Sequence, residues 1–300
     1  MDTLNVTATG NGLNYLPEYV ADAGGLFAAR GLAVRAKACD PWTGVLDDLD
    51  SGAADLALGG LWVPAMYVGT PRQLDVVGQL NHRFPMGIVA RDPAVPSGLG
   101  WLAGRTGLAP GAGGSAPYEF TAGLIREAGL DPLDTRWVRD LSTAMLIELF
   151  RAGLGDAIIL DLVSAMELEA DGTGTIVFRH LEAGGVMPNS VYYCRTDQAA
   201  GLSDRIARFT DAIAEAMRVI VSGEAGPVID TVIAQRWPDK DPGLLRRAAD
   251  DMAKSGLWDS ALIDRGASDR WMRILAEGGL VSQAPTLEEL TGSSRVSVSS

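Results

Sequence analysis

Apolar residues along the first 170 positions fall into short runs that alternate with stretches of helical spacing. Residues 4–8 read as a strand, Asn11-Gly12 as a turn, and 15–29 as a helix, with Pro17 tolerable in its first turn and Gly31 as its stop. Strands follow at 32–38, 55–58 and 74–80, separated by helical patterns at 43–49 and 62–67. Gly52 ends the first of these helices, and Gly59-Gly60 break the strand at 55–58. This alternation predicts an α/β sheet with parallel pairing.

A second unit repeats the grammar. Strands are expected at 86–90, 106–109, 136–138 and 157–160. Helices are expected at 117–128, from Ser142 to Ala152, and after 160 through Glu169. The Gly-rich stretch 110–115 links the strand at 106–109 to its helix. The segment Gly52-Ala53-Ala54-Asp55 is echoed by Gly153-Leu154-Gly155-Asp156: in each, glycine closes a helix and Asp enters a buried strand. A strand at 190–195 then gives way to a mainly helical region over 202–290. There Ile206, Phe209, Ile213, Met217 and Ile220 mark one buried face. The polar stretch 293–300 reads as a loose tail.

Composition narrows the function. The chain has 300 residues, 47% hydrophobic and 21% charged, with a net charge of −13. That balance suits a large globular α/β protein and argues against nucleic acid as a partner. No run approaches the roughly 20 apolar residues of a membrane span. Cys39 and Cys194 read as two buried thiols, and with only His82 and His180 there is little scope for a metal cluster. No metal site and no cofactor is expected. The start Met1-Asp2-Thr3-Leu4 runs straight into a strand without a signal-peptide pattern. The sequence as written is therefore expected to be cytoplasmic, or periplasmic or extracellular if a leader was removed.

Three stretches carry a family resemblance: Tyr15-Leu16-Pro17-Glu18-Tyr19-Val20-Ala21-Asp22-Ala23-Gly24-Gly25-Leu26-Phe27 with Arg30-Gly31-Leu32; Leu49-Asp50-Ser51-Gly52-Ala53-Ala54-Asp55-Leu56-Ala57-Leu58-Gly59-Gly60; and Leu102-Ala103-Gly104-Arg105-Thr106-Gly107-Leu108 with the loop and helix after it. Over roughly residues 4–280 the chain resembles the type II periplasmic binding proteins, in the branch for sulfonates, nitrate and thiamine-pyrimidine precursors. The resemblance implies a two-lobed α/β fold with an interlobe ligand cleft and a helical C-terminal part. Lobe 1 would be 1–85 with 190–300, and lobe 2 would be 86–189.

Candidate binding residues lie just after the strands, where open α/β sheets take their ligands. They are Asn11, Asn14 and Tyr15; Trp42; Gly60 and Trp62; Arg83 at the first crossing; Gly113, Gly114 and Ser115 in the Gly-rich loop; Asp161; and Asn189 at the return crossing. Gly10, Asp40, Gly59, Ala116 and Asp140 share such positions. The Gly-rich loop could cradle an anion with its N–H groups or be a plain turn. Trp42, Trp62 and Tyr15 could wall an aromatic ligand or pack in the core. Arg83 could pair with an anion and His82 could move protons, or both could form a structural pair.

Two readings follow. One is a solute-binding protein for a small acidic or aromatic molecule, working with an ABC permease if exported. The other is a cytoplasmic decarboxylase, lyase or cyclase on the same fold, with His82 and Asp161 as its acid–base groups. Two enzyme chemistries that the resemblance suggests lack their residues. Pyrimidine synthases of this fold use a lysine that holds pyridoxal phosphate and a Cys-rich motif, but here the first 239 residues contain only Lys37. A desulfinase of this fold uses a Cys after its first strand, where this chain has Asn11-Gly12-Leu13.

Overall fold

Strand β1 (Asp2–Ala8) buries Leu4 and Val6 on one face and Thr7 on the other, the mark of a strand covered on both sides. The computed structural model describes residues 1–111, 116–292 and, for the backbone, 298–299. Contacts divide the chain into two units. Unit 1 is Met1–Arg83, Val186–Met272 and Ala284–Ser300; unit 2 is Phe84–Gly185 and Arg273–Gln283.

In unit 1, β1 joins β2 (Leu32–Ala38), β3 (Leu56–Gly60), β4 (Leu74–Gln79) and β10 (Ser190–Arg195) in the order β2-β1-β3-β10-β4. β1 runs parallel to β2 and β3. β10 runs antiparallel between β3 and β4, with Ser190 opposite Gly60. The sheet is therefore mixed rather than parallel throughout, because the strand returning from unit 2 enters it from the opposite end. The expected helix over 15–29 is broken. A 3-10 turn at Leu13–Tyr15 leads into α1 (Leu16–Ala23), and Gly25, at φ 72°, separates it from α2 (Leu26–Ala29). That left-handed conformation suits glycine and stops an α-helix. α3 (Gly44–Ser51) and α4 (Trp62–Tyr67) connect the next strands.

The long α9 (Thr196–Val221) starts six residues before the expected helical region, directly after β10. α9 and α10 (Gly226–Arg236) pack on α1. Phe209 of α9 stacks on Phe27 at 5.1 Å and meets Tyr192 edge-on at 4.8 Å. α11 (Pro242–Lys254), α12 (Arg265–Glu277) and α13 (Leu287–Thr291) complete the helical part, and β11 (Ile263–Asp264) pairs with β12 (Val298–Ser299).

Unit 2 repeats the topology. β5 (Met86–Ala90), β6 (Thr106–Leu108), β7 (Arg136–Val138), β8 (Ala157–Asp161) and β9 (Thr175–Arg179) stand in the order β7-β6-β8-β5-β9, with β5 antiparallel to both its neighbours. β9 was not expected from the sequence; it is the counterpart of β4. α5 (Ala116–Glu127), α6 (Thr143–Arg151), α7 (Leu162–Ala170) and the short α8 (His180–Ala183) surround this sheet. Val89, Leu108, Leu146, Phe150, Ile158 and Leu160 form its core.

The sequence echo has a physical basis. Gly52 and Gly153 both adopt positive φ, 73° and 100°. Asp55 N donates to Asn5 O, and its carboxylate accepts from Asn5 N, both at 2.8 Å. Asp156 does the same to Thr106, at 2.8 and 2.7 Å. In each unit the aspartate staples the entry of one strand to the parallel strand beside it, β3 to β1 and β8 to β6.

The sequence reading kept 190–300 together, whereas the contacts group 273–283 with unit 2. The second half of α12 closes on Gly123 of α5, where an added Cβ would come within 2.6 Å of Ile274. Cys194 is buried, but Cys39 is only half-buried, which corrects the expectation of two buried thiols; both are free. Among the described residues no helix is long and apolar enough to cross a membrane.

Candidate functional site

The carboxyl ends of β1 and β3 lie side by side in unit 1, joined by Thr9 N donating to Leu58 O at 2.9 Å. Chain leaving β1 passes Gly10 and the exposed Asn11, then turns at Leu13–Tyr15. Tyr15 is buried, and its hydroxyl lies 3.2 Å from Thr9 Oγ1. Burial pushes its phenol upward, against hydrogen bonds from Thr9 and Ser190, so Tyr15 is neutral. Chain leaving β3 passes Gly60, where any Cβ would fall on the Trp62 indole. Glycine therefore lets Trp62 fold back over the strand end. Trp42 meets Trp62 edge to face, with ring centroids 5.0 Å apart and planes at 72°. Trp42 and Trp62 form an aromatic corner past β2 and β3, and Thr9 and Tyr15 a pair of hydroxyls past β1.

The crossing residues hold to one another and to the segment after α11. Asn189 N donates to Asn81 O at 3.0 Å, and Met187 N donates to His82 O at 3.0 Å. His82 N donates to Leu257 O at 2.8 Å, and its Nδ1 lies 3.2 Å from Gln79 Nε2. Gln79 Nε2 in turn donates to Ser260 O and Leu262 O at 2.9 and 2.8 Å. Burial lowers the His82 pKa, helped by Arg83 and opposed by Asp259 and Asp264. Arg83 lies against the same segment: a Cβ on Gly256 would come within 3.1 Å of Arg83 Nε and 2.5 Å of Asp259 Oδ2. The contacts of His82 and Arg83 thus bind the crossing to residues 256–262.

In unit 2, Asp161 ends β8 and caps α7, accepting from Ser164 N at 3.0 Å and Ser164 Oγ at 2.6 Å. Asp140 follows β7 with φ 67°, a left-handed conformation that Asp tolerates better than most residues. Gly113, Gly114 and Ser115 lie outside the described residues. Glu119 of α5 is buried, 3.9 Å from Arg139, which stacks on Tyr118 at 4.1 Å. Burial raises its pKa, against Arg139 and Arg126. His180, buried among Phe84, Phe120 and Phe178, lies 2.9 Å from Thr121 Oγ1. Among the described residues no group of three His, Cys, Asp or Glu side chains is placed to hold a metal ion.

The profile of the family described as NMT1/THI5 like matches residues 13–223, which span the aromatic corner, both crossings and all of unit 2's sheet. The chain belongs to the NMT1/THI5-like family. No curated protein matches it. Among solved structures, this family member is similar to the periplasmic aliphatic sulphonate binding protein SsuA of Escherichia coli: TM-score 0.78, 14% identity, covering 97% of each chain. It is also similar to the alkanesulfonate-binding SsuA of Xanthomonas axonopodis pv. citri bound to MOPS, with TM-score 0.72, 15% identity, and 97% and 96% coverage. A third is the periplasmic nitrate-binding protein NrtA of Synechocystis PCC 6803, with TM-score 0.67, 15% identity, and 83% and 70% coverage. The NMT1/THI5-like chain has the type II periplasmic-binding-protein fold, two five-stranded α/β sheets each flanked by helices.

Sequence reasoning about this NMT1/THI5-like chain missed Thr9, Asn81, Ser190 and Trp258. Thr9 lies just past the end of β1, and a helix-like reading from Tyr15 gave no reason to pair the two. Ser190 begins a strand whose antiparallel direction alone brings it to the carboxyl edge of β3. Trp258 comes from a turn distant in sequence, donating to Asn14 O and Asn81 Oδ1 at 3.2 Å each. Nothing in local pattern foretells that reach.

Proposed function

We propose that this NMT1/THI5-like protein binds a small planar organic molecule bearing hydrogen-bond acceptors at the carboxyl edge of the unit 1 sheet, as the solute-binding component of an ABC importer. The observations that carry this reading are the Trp42–Trp62 corner in the segments after β2 and β3 and the Tyr15–Thr9 hydroxyls in the segment after β1. Aromatic walls with a few placed neutral polar groups suit a heteroaromatic ring better than a bare inorganic anion. The His82 ring lies against Gln79, with its pKa lowered by burial, and Arg83 lies beside Gly256. Asn11 and Asn14, beside Tyr15, would supply further polar contacts.

Cavities of about 330 and 800 Å³ open at the other end of the same sheet, around Asp50 and Arg195. Their charges pair with each other: Arg72 with Asp50, and Arg195 with Asp197 at 2.6 Å. The names of the structural relatives, binding proteins for sulfonates and nitrate, support a small-solute role. The enzyme reading has less behind it. Both candidate acid–base groups have structural partners, His82 with Gln79 and Asp161 with Ser164.

Native mass spectrometry of the gently purified protein tests the reading. Wild type should retain one small molecule per chain. Trp62→Ala should weaken retention roughly ten- to a hundredfold, the scale of losing a buried aromatic contact. Equal retention by a folded Trp62→Ala would count against the site. An importer role also implies that the working protein stands outside the cytoplasm, contrary to the cytoplasmic expectation. Fractionation of cells carrying the native gene reads that directly: a purely cytoplasmic pool would count against transport.

A further inference from the structure

β3 ends in Gly59-Gly60, and each glycine receives side chains at its Cα. A Cβ on Gly60 would fall on the Trp62 indole. A Cβ on Gly59 would lie 3.2 Å from Tyr193 Oη, and 2.8 and 3.3 Å from Cγ2 and Oγ1 of Thr9. Successive Cα atoms stand about 3.8 Å apart, so the indole and these two hydroxyls meet β3 at adjacent residues. Tyr193 arrives from β10, where it stands opposite Ala57 and so shares the face of Gly59, two residues further along β3.

Thr9 Oγ1 and Tyr15 Oη lie 3.2 Å apart, and one gives its proton to the other. Tyr193 has no such arrangement. Its side chain is 0% exposed, and no described residue offers its hydroxyl a hydrogen-bond partner. Burial raises its pKa, so the hydroxyl keeps its proton. A buried hydroxyl left unpaired is costly, and folded proteins seldom keep one unless a water, an ion or a ligand meets it. Thr9 is half-buried, so the surface reaches one end of this hydroxyl cluster and Tyr193 forms the deep end. Because Tyr193 Oη and Thr9 Oγ1 both lie within 3.3 Å of one point, a single acceptor atom can reach both.

We infer that the Tyr193 hydroxyl is a ligand contact that sets specificity: it donates to an acceptor atom on the inner edge of the bound ring. The contact rests on the proposed binding site and adds to it a chemical requirement. A ring nitrogen or a carbonyl oxygen at that edge meets it. A C–H or methyl edge leaves the Tyr193 hydroxyl unpaired and is rejected for that reason. Gly59 belongs to the same device, since a side chain there would press on both Thr9 and Tyr193.

NMR titration of the full chain, dialysed free of small molecules, with pyridine and with benzene tests this. The two rings share a shape, and only pyridine carries an acceptor. Wild type should bind pyridine roughly three- to tenfold more tightly than benzene, the worth of one neutral hydrogen bond. The Tyr193 ring carbon that bears the hydroxyl should shift with pyridine and not with benzene, a readout that needs no variant. Tyr193→Phe should abolish the preference for pyridine while the chain unfolds at the same or a higher temperature, because no protein partner is lost. A preference that survives in Tyr193→Phe, or a lower unfolding temperature of that variant, would overturn the contact. Indole signals of Trp42 and Trp62 that respond to both rings while Tyr193 stays silent would also overturn it and leave the binding site standing. Indole signals that respond to neither ring would sink the binding site, and the contact with it.

Discussion

Two buried ionisable residues give opposite responses to pH, one in each unit. Glu18 is 3% exposed, accepts from Tyr192 Oη at 2.8 Å, and is pushed by burial to about 7 from an ordinary 4.5, with Arg236 opposing and Asp22 assisting. Between those values the folded chain keeps a proton that the unfolded chain releases. Its contribution to stability therefore falls as pH rises through 4.5 to about 7, by about 3 kcal/mol. His180 is held near 4 from an ordinary 6.5 by burial. Here the unfolded chain gains the proton first, so stability is present above 6.5 and lost as pH falls toward 4. Glu18→Gln should keep the Tyr192 bond and stabilise unit 1 by up to about 3 kcal/mol above pH 7, with little effect at pH 4.5. Urea unfolding at the two pH values checks this; an equal shift at both would show that ionisation is not the cause. Glu18 is nearly invisible in sequence, because a first-turn acid normally faces water. Gly60 and Trp62 were legible as a pair after a strand, but the need for glycine under the indole appears only in three dimensions.

At the scale of elements, Asp161 separates two roles. As the cap of α7 its loss should cost about 1 kcal/mol, and Asp161→Asn, which keeps an acceptor oxygen, should recover most of it. Thermal unfolding of Asp161→Ala and Asp161→Asn, with ligand retention measured alongside, checks the assignment. Lost retention in a stable Asp161→Asn would return the residue to the binding site. The alternation of strands and helices was legible because periodicities of two and 3.6 survive in short windows. Antiparallel β5 and β10 were not, because direction within a sheet is set by where the chain comes from. The Gly–Asp echo was legible as a pattern, while its meaning, a two-point staple to the neighbouring parallel strand, needed coordinates. β9 leaves every residue half-buried, so its pattern lacks the clean alternation that marked the other strands.

For the whole molecule, the resemblance carried by three sequence stretches gave the fold, and membership of the NMT1/THI5-like family agrees with it. Fold alone does not name the ligand. The proposed specificity rests on a few neutral groups at one sheet edge, in a protein whose net charge of −13 gives anions no general attraction. The most direct measurement is a crystal structure of the protein purified under native conditions with its small molecule retained. Density for one planar molecule is expected against Trp42 and Trp62, with an acceptor atom within about 3.2 Å of Tyr15 Oη, the range of an ordinary hydrogen bond. Density in the cavity around Asp50 and Arg195, with the Trp42–Trp62 corner empty, would contradict it.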